Sequence, residues 1–457
     1  MGKVNHVDTD ADKVLNVSEK DVQKHFDSLA KMGNLGPSLD DGFLRAAWSD
    51  EESQAFEYIK NEAESAGLTA RYDGIGNLFI RTPARKNDKK VVQVGSHIDT
   101  VPEGGNYDGA AGIVAGLEAI KAVHSSGIMT CKSIELVIWR GEESATFNAA
   151  YKGSKGAFGK SFKGDKGDIL KNEFRGKTLE QAITEQGFDP SYFREQKPTI
   201  NQEYIDNIFA HIELHIEQAR KLETDKISIG IITSIRGYDR YRITVAGEFD
   251  HSGATPMGTE YRKDANLAIA YMQVEIDKLG RKYAKLGNDL VQTIGEINSN
   301  HELNKQHGIY NNAITKVSGI GYFSLDIRSN NQNFKEAYVN EAKKLIKRLA
   351  KSKKVDIEIL PMSSDNPTEN LDEKIREIIA CSCDRLSYSY QPMSSGAGHD
   401  AAIVAQQMRS DGAYVPVGML FIPCRAGISH NKMEFAKTED VVKGANVLVN
   451  TIYELAK

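Results

Sequence analysis

The stretch VGSHIDTVPEGGNYDG, residues 94–109, constrains this chain more than any other. The run KVVQVGSHID is apolar up to His97. Asp99 follows two residues later, then a Gly-Gly pair, then Asp108-Gly109 and the small-residue run AAGIVAGLEAIKAVHSSG. A buried strand that turns directly into a helix is a unit of an α/β sheet. A second apolar run, KSIELVIWRGEE, completes strand, helix, strand, and that order implies parallel pairs. Ligands in such sheets lie beyond the carboxyl ends of the strands, and both His97 and the pair Glu142-Glu143 fall there.

The neighbouring segments read consistently. DEESQAFEYIKNEAESAGL sets Phe56, Ile59 and Ala63 on one helical face, with Gly67 as the stop. LTARYDGIGNLFIRT reads as a hairpin about Asp73-Gly74. Residues 235–365 carry a different pattern. DRYRITVAGEF is a strand, DANLAIAYMQVEIDKLG a helix, and DLVQTIGEI and KVSGIGYFSLDIRS are strands. NFKEAYVNEAKKLIKRLAKSKK is a helix and VDIEIL a strand. This β-α-β-β-α-β order describes a compact α+β unit, inserted between a first segment, 1–234, and a second, 366–457. TIGEINSNHELNKQHGIYNN is its loop-rich part. ENLDEKIREIIACSCDRL then returns to helix, and GMLFIPC is a last buried strand.

Composition excludes several classes. The chain has 457 residues, with 58 basic against 63 acidic and a net charge of −5. That mixture gives no electrostatic case for nucleic acid or an anionic membrane as partner. No apolar run reaches the length of a membrane-spanning helix, and the N-terminal stretch lacks the apolar core of a signal peptide. Cys131, Cys381, Cys383 and Cys424 have neither disulfide-framework nor zinc-finger spacing. A reducing, cytoplasmic compartment is therefore expected.

Four clusters carry chemistry. His97, Asp99 and Asp108 offer imidazole and carboxylate to a zinc-like ion, with Asp99 placed as acceptor for the second ring proton of His97. The competing reading is a core histidine with two turn aspartates. Glu142 and Glu143 are adjacent carboxylates that repel each other unless a cation lies between them or one is protonated. One can bind a metal while its neighbour acts as general base. In IFAHIELHIEQ the apolar residues alternate, which favours a strand with His211, Glu213, His215 and Glu217 on its other face. A helix would instead set His211 and His215 one turn apart. His215, the later of the two, is the ligand candidate and His211 reads as structural. GMLFIPCRAGISHNKMEF adds a strand followed by His430. Together His97, Asp108, Glu143, His215 and His430 suit two zinc-type ions about 3.5–4 Å apart, bridged by a carboxylate.

The motifs GSHIDTVPEGGNYDG, ELHIEQ, DHSGATPM and SGAGHDA make the chain resemble the metal-dependent aminoacylase/carboxypeptidase superfamily. Within it, the chain resembles the hydantoinase/carbamoylase branch of N-carbamoyl-L-amino acid hydrolases, ureidopropionases and allantoate amidohydrolases, over nearly its whole length. The resemblance implies a mixed-sheet di-metal catalytic domain and an inserted, ferredoxin-like lid and dimerisation domain. It implies that His97 and His215 hold one metal, Glu143 and His430 the other, and that Asp108 bridges. Zinc is the expected metal, with manganese, cobalt or nickel as alternatives. Glu142 would be the general base and Asp99 would orient His97. His251 would reach into the other subunit of a homodimer to stabilise the oxyanion. Arg328 would bind a substrate carboxylate, although by its pattern alone it reads as a surface strand residue. Gln218 matches a substrate-contacting position, and His399 lies in a Gly-rich loop near the site.

Some positions depart from the family pattern. The asparagine that would help Arg328 is Thr315, within TKVSG, and Asn312 is one residue that could compensate. SATF replaces Gly-Ser-Arg-Phe after the glutamate pair, and Ala219 replaces the glycine after HIEQ. All lie where substrate shape is read. The leading expectation is an amidohydrolase acting on a linear carbamoyl or acyl C–N bond of a small ureido or acylamino acid. An aminoacylase or dipeptidase on the same scaffold is the close rival, and a non-catalytic binding protein is the third reading.

Overall fold

The computed structural model describes residues 14–38, 41–83, 89–160, 162, 168–287, 289–298 and 312–457. Helix α1 (Glu19–Leu29) starts under the Ser18 hydroxyl and α2 (Asp50–Ser65) under that of Ser49, each accepting an orphan amide of the first turn. Strands β1 (Thr69–Tyr72) and β2 (Leu78–Arg81) form an antiparallel hairpin. The Asp73 carboxylate fixes its turn by accepting from the amides of Ile75 and Asn77. Next come β3 (Val91–His97), α3 (Ala110–Ser125), β4 (Ser133–Trp139), β5 (Ile208–Ile216) and β6 (Ile229–Ile235). The second unit runs β7 (Gly237–Ala246), α4 (Ala265–Lys285), β8 (Val291–Thr293), β9 (Ile320–Ser329), α5 (Gln332–Lys353) and β10 (Asp356–Asp365). The chain returns through α6 (Glu373–Leu386), β11 (Tyr390–Ser395), β12 (Val417–Ile422) and α7 (Thr438–Ala456).

The large sheet is mixed, in the order β1-β2-β4-β3-β5-β12-β6-β11. β3 is parallel to β4 and β5, and β5 is parallel to β12. Four neighbouring strands thus end on one edge, which brings His97, Glu142-Glu143, His215 and the segment leading to His430 together. Both faces of this centre are covered. α3, α6 and α7 pack on one side, and Trp139, Met419 and Phe421 pack against Tyr151 and Ile403 on the other. Helix α3 lies so close that a Cβ on Gly112 would meet the Leu214 carbonyl at 2.2 Å. Burial on both sides also explains β5. Its His211 and Glu213 face no solvent, and both are wholly buried.

The second sheet is antiparallel, β8-β9-β7-β10, with α4 and α5 on one face. Tyr241, Ile243, Val245, Phe323, Leu325 and Ile327 point to those helices. The other face turns Arg240, Arg242, Asp326 and Arg328 to a cavity of about 930 Å³ shared with Ser144 and Asn148 of the large unit. Two strand expectations need correction. DLVQTIGEI holds only the short pieces Val291–Thr293 and Ile297–Asn298. KVSGIGYFSLDIRS breaks at Ser318-Gly319, so Lys316–Val317 pairs with Asp250–His251 rather than continuing β9. Phe249 covers Gly319, where an added Cβ would meet its ring at 2.4 Å. Most of the loop-rich stretch, 299–311, lies outside the described residues. The four cysteines are free. No helix among the described residues is long and apolar enough to cross a membrane.

Candidate metal centre

Asp108 is the focus. The turn after β3 carries it over the strand ends, and Gly109, at φ 63°, starts α3 beneath it. Oδ1 lies 3.0 Å from His215 Nε2 and 3.5 Å from His97 Nε2. Oδ2 lies 3.4 Å from His430 Nε2, which is itself 3.1 Å from Glu143 Oε1. Among the described residues three groups of possible ligands lie close enough to share an ion: His97-Asp108-His215 and Asp108-Glu143-His430, which share one carboxylate, and Glu213-His215-His399 behind them.

The histidines are oriented for ligation. His97 Nδ1 is 3.2 Å from both the Asp99 carbonyl and Asp99 Oδ1. His215 Nδ1 is 3.0 Å from the Ile216 carbonyl. With Nδ1 facing acceptors, Nε2 is the ring atom turned to Asp108, where it can share a proton with the carboxylate or, once that proton is lost, offer its lone pair to a metal. Asp99 also accepts from the amides of Glu142 and Glu143, at 3.0 and 3.1 Å. Glu142 Oε2 is 4.0 Å from His97 Nε2. His430, half exposed, sits in the left-handed region at φ 54°, as does Gln218 at φ 56°. Non-glycine strain of this kind is held where the surroundings dictate it.

Electrostatics follow from packing acids and imidazoles together. Burial opposes charge on His97, but Asp108 and Asp99 outweigh it and hold its pKa well above the usual value. Burial likewise opposes ionisation of Asp108, yet His215, His430 and His97 keep it well below the carboxylate range. Glu142 goes the other way. Burial, with Glu143, Asp400 and Asp99 adding to it against His97, raises it well above the ordinary value. A carboxylate held that way has a high affinity for a proton, as a base must. The donor set, three imidazoles and two carboxylates converging on a shared oxygen pair, fits two divalent ions of zinc type.

The remaining sequence candidates divide. Gln218 donates to Asp108 Oδ2 at 2.6 Å and to Ser429 Oγ at 3.3 Å. His399 is buried behind the centre. Its ring packs 4.6 Å from that of His215, and its Nε2 is 2.8 Å from Ser395 Oγ. Arg328 ends β9 beside Tyr238 and grips Asp326 through Nε and Nη2, at 3.0 and 3.1 Å. His251 and Thr315 are exposed at the far tip of the second unit, where Ser252 N donates to the Thr315 carbonyl. The run of β9 from Ile320 to Arg328, about 3.3 Å per residue, separates that tip from Arg328. Within one chain Thr315 therefore cannot share a carboxylate with Arg328, and His251 does not join the metal centre. Thr315 and Arg328 could serve one substrate only from different subunits.

Two residues around Asp108, Glu434 and Ser429, gave no sequence signal. Glu434 Oε1 accepts from the amides of Tyr107 and Asp108, both at 2.9 Å, and its Oε2 accepts from Ser429 Oγ at 3.0 Å. Ser429 also lies 2.6 Å from Asp108 Oδ2.

Comparison with known proteins agrees with this arrangement. Residues 93–454 match the model of peptidase family M20/M25/M40. The chain is 31% identical over 430 residues to allantoate amidohydrolase of Bacillus subtilis, covering 94% of this chain and 97% of the relative. It is 29% identical over 445 residues to N-carbamoyl-L-amino-acid amidohydrolase of a Pseudomonas species, covering 96% and 99%. A crystal structure of a hydantoinase/carbamoylase family amidase from Burkholderia multivorans superposes with a TM-score of 0.79 at 28% identity, covering 97% of this chain and 98% of that one. With strand ends, donor set and family match in accord, the chain belongs to peptidase family M20/M25/M40.

Proposed function

We propose that the protein is a di-metal amidohydrolase that cleaves a linear C–N bond of an N-carbamoyl amino acid or related ureido acid. The observation that carries this is Asp108, with one oxygen toward His97 and His215 and the other toward His430 beside Glu143. The curated relatives named for carbamoyl and allantoate substrates support the bond type. When bound, two such ions polarise the scissile carbonyl and acidify water. The chain's own groups do the rest. Glu142 takes the proton of the attacking water and passes it to the leaving nitrogen, while Asp99 keeps the Glu142 amide and His97 in register. Arg328, at the edge of the cavity, receives the substrate carboxylate, which must share or displace Asp326 from its fork.

Residues 235–365 act as lid and dimerisation domain in this reading. The exposed Leu267, Tyr271 and Val274 share one face of α4, and Met257 is 76% exposed nearby in sequence. A second copy covering that face gives a homodimer in which His251 of the partner subunit serves the oxyanion.

Ammonia release from N-carbamoyl-L-amino acids and allantoate, run beside acylated amino acids and dipeptides with added zinc, manganese, cobalt or nickel, tests the proposal. Turnover led by the carbamoyl and ureido compounds is expected. Turnover led by acyl or dipeptide substrates would make it an aminoacylase or dipeptidase, and no turnover with any metal would leave a binding protein.

A further inference from the structure

Lys152 is fully buried, yet no carboxylate among the described residues accepts its hydrogen bonds. Its Nζ donates to three main-chain carbonyls, Glu143 at 2.9 Å, Thr146 at 3.1 Å and Ala149 at 2.7 Å. A buried ammonium is costly unless its donors are satisfied and acidic groups lie nearby. The acids that act on it electrostatically are Asp99, Glu142, Glu52 and Glu143. The surrounding backbone is fixed as well. The amides of Tyr151, Lys152 and Gly153 donate to the carbonyls of Glu142, Gly141 and Arg140. The path is tight: a Cβ on Gly141, at φ 60°, would lie 2.7 Å from Lys152 Cε.

We propose that Lys152 is a positioning residue for Glu143. Asp99 holds the Glu143 N–H and Lys152 holds its C=O, so this residue's main chain is fixed from both sides. The carboxylate is thereby kept 3.1 Å from His430 Nε2. Three carbonyls gathered on one cation also close the 143–149 turn, which otherwise has no regular secondary structure. The inference rests on reading Asp108, Glu143 and His430 as one of two metal sets. It assigns to Lys152 an effect on that set and not on the His97–His215 set.

Calorimetric zinc titration of chelator-stripped full-length protein, with elemental analysis of the loaded forms, tests it. Wild type should take two ions. Lys152→Met should keep one ion at wild-type affinity and bind the other at least about tenfold more weakly, the usual cost of losing a supporting contact to a ligand. Its kcat should fall with KM little changed. Lys152→Arg, which keeps charge and donors, should recover much of the second affinity. If Lys152→Met does not accumulate folded, Lys152→Gln should show the same selective loss. Wild-type affinity for the second ion in the uncharged variant would overturn the proposal. So would equal loss of both ions in the Met and Arg variants. A wild type that takes up no ion would instead refute the metal reading itself.

Discussion

Glu434 offers a perturbation whose size can be worked from the structure. It is 5% exposed and accepts from the buried amide of Asp108 and the partly buried amide of Tyr107, while Ser429 donates to its other oxygen. In Glu434→Ala both amides lose their acceptor. Each buried donor left unpaired costs about 1–3 kcal/mol, or about 3 kcal/mol in total once water and neighbours relax partway. Glu434→Gln keeps the acceptor and should lose little of this. The two variants also separate in pH. Burial first, then Asp108, pushes the Glu434 carboxyl from 4.5 up to about 7 in the folded protein. The folded state therefore binds this proton more tightly than the unfolded chain. The stability it brings is complete below pH 4.5 and is lost as pH rises through 7. The full span is about 3 kcal/mol at about 1.4 kcal/mol per unit. Glutamine has no such proton, so Glu434→Gln should gain on wild type by about 2 kcal/mol or more between pH 5 and pH 8. Urea unfolding of chelator-treated protein at both pH values measures this. An alanine variant within about 0.5 kcal/mol of wild type, or a Gln-to-wild-type difference that ignores pH, would refute the reasoning.

Other outcomes follow from the same geometry. Glu142→Gln should keep its metal and lose about 10²–10⁴-fold in kcat, the usual contribution of a general base, and near-normal turnover would place the base elsewhere. Metal uptake should release protons, because the raised pKa values of His97, His215 and His430 mean that bound ions displace imidazole protons. Titrations in buffers of different ionisation enthalpy should show that release, and affinity should fall as pH is lowered. Mixed subunits, one lacking His251 and one lacking Glu142, should recover part of the activity. Proven subunit exchange without recovery would remove the cross-subunit role. With Thr315 meeting the substrate carboxylate across the dimer, Thr315→Asn should lower KM for N-carbamoyl-L-amino acids, since an amide offers two donors where a hydroxyl offers one. A raised KM would show Thr315 serving another group.

Much of the centre was legible because it sits at strand ends. Apolar runs that stop on His97 and just before Glu142-Glu143 mark two ends directly; alternation in IFAHIELHIEQ made it a strand, and its C-terminal end singled out His215 as the later histidine. The alternation put His211 and Glu213 on the strand's other face but did not convey that this face too is buried. In a sheet covered on both faces, their side of the strand is core, where Gln93 meets His211 Nδ1 and Ser96 and the Ala401 amide donate to Glu213, while His211 Nε2 has no hydrogen-bond partner among the described residues. Glu434 and Lys152 were not legible, because each acts on main-chain amides or carbonyls that have no residue signature. β6 and β11 gave no signal of their own in the sequence reading. The distance between Thr315 and Arg328 depends on the break at Ser318-Gly319 and on the direction of β9, which sequence spacing alone does not convey.

The central claim is that Asp108 bridges two ions. Anomalous diffraction from crystals of the zinc- or manganese-loaded protein tests it most directly. Two peaks about 3.5–4 Å apart should flank Asp108, one beside His97 and His215 and the other beside Glu143 and His430. A single peak, or peaks that leave Asp108 uncoordinated, would contradict it.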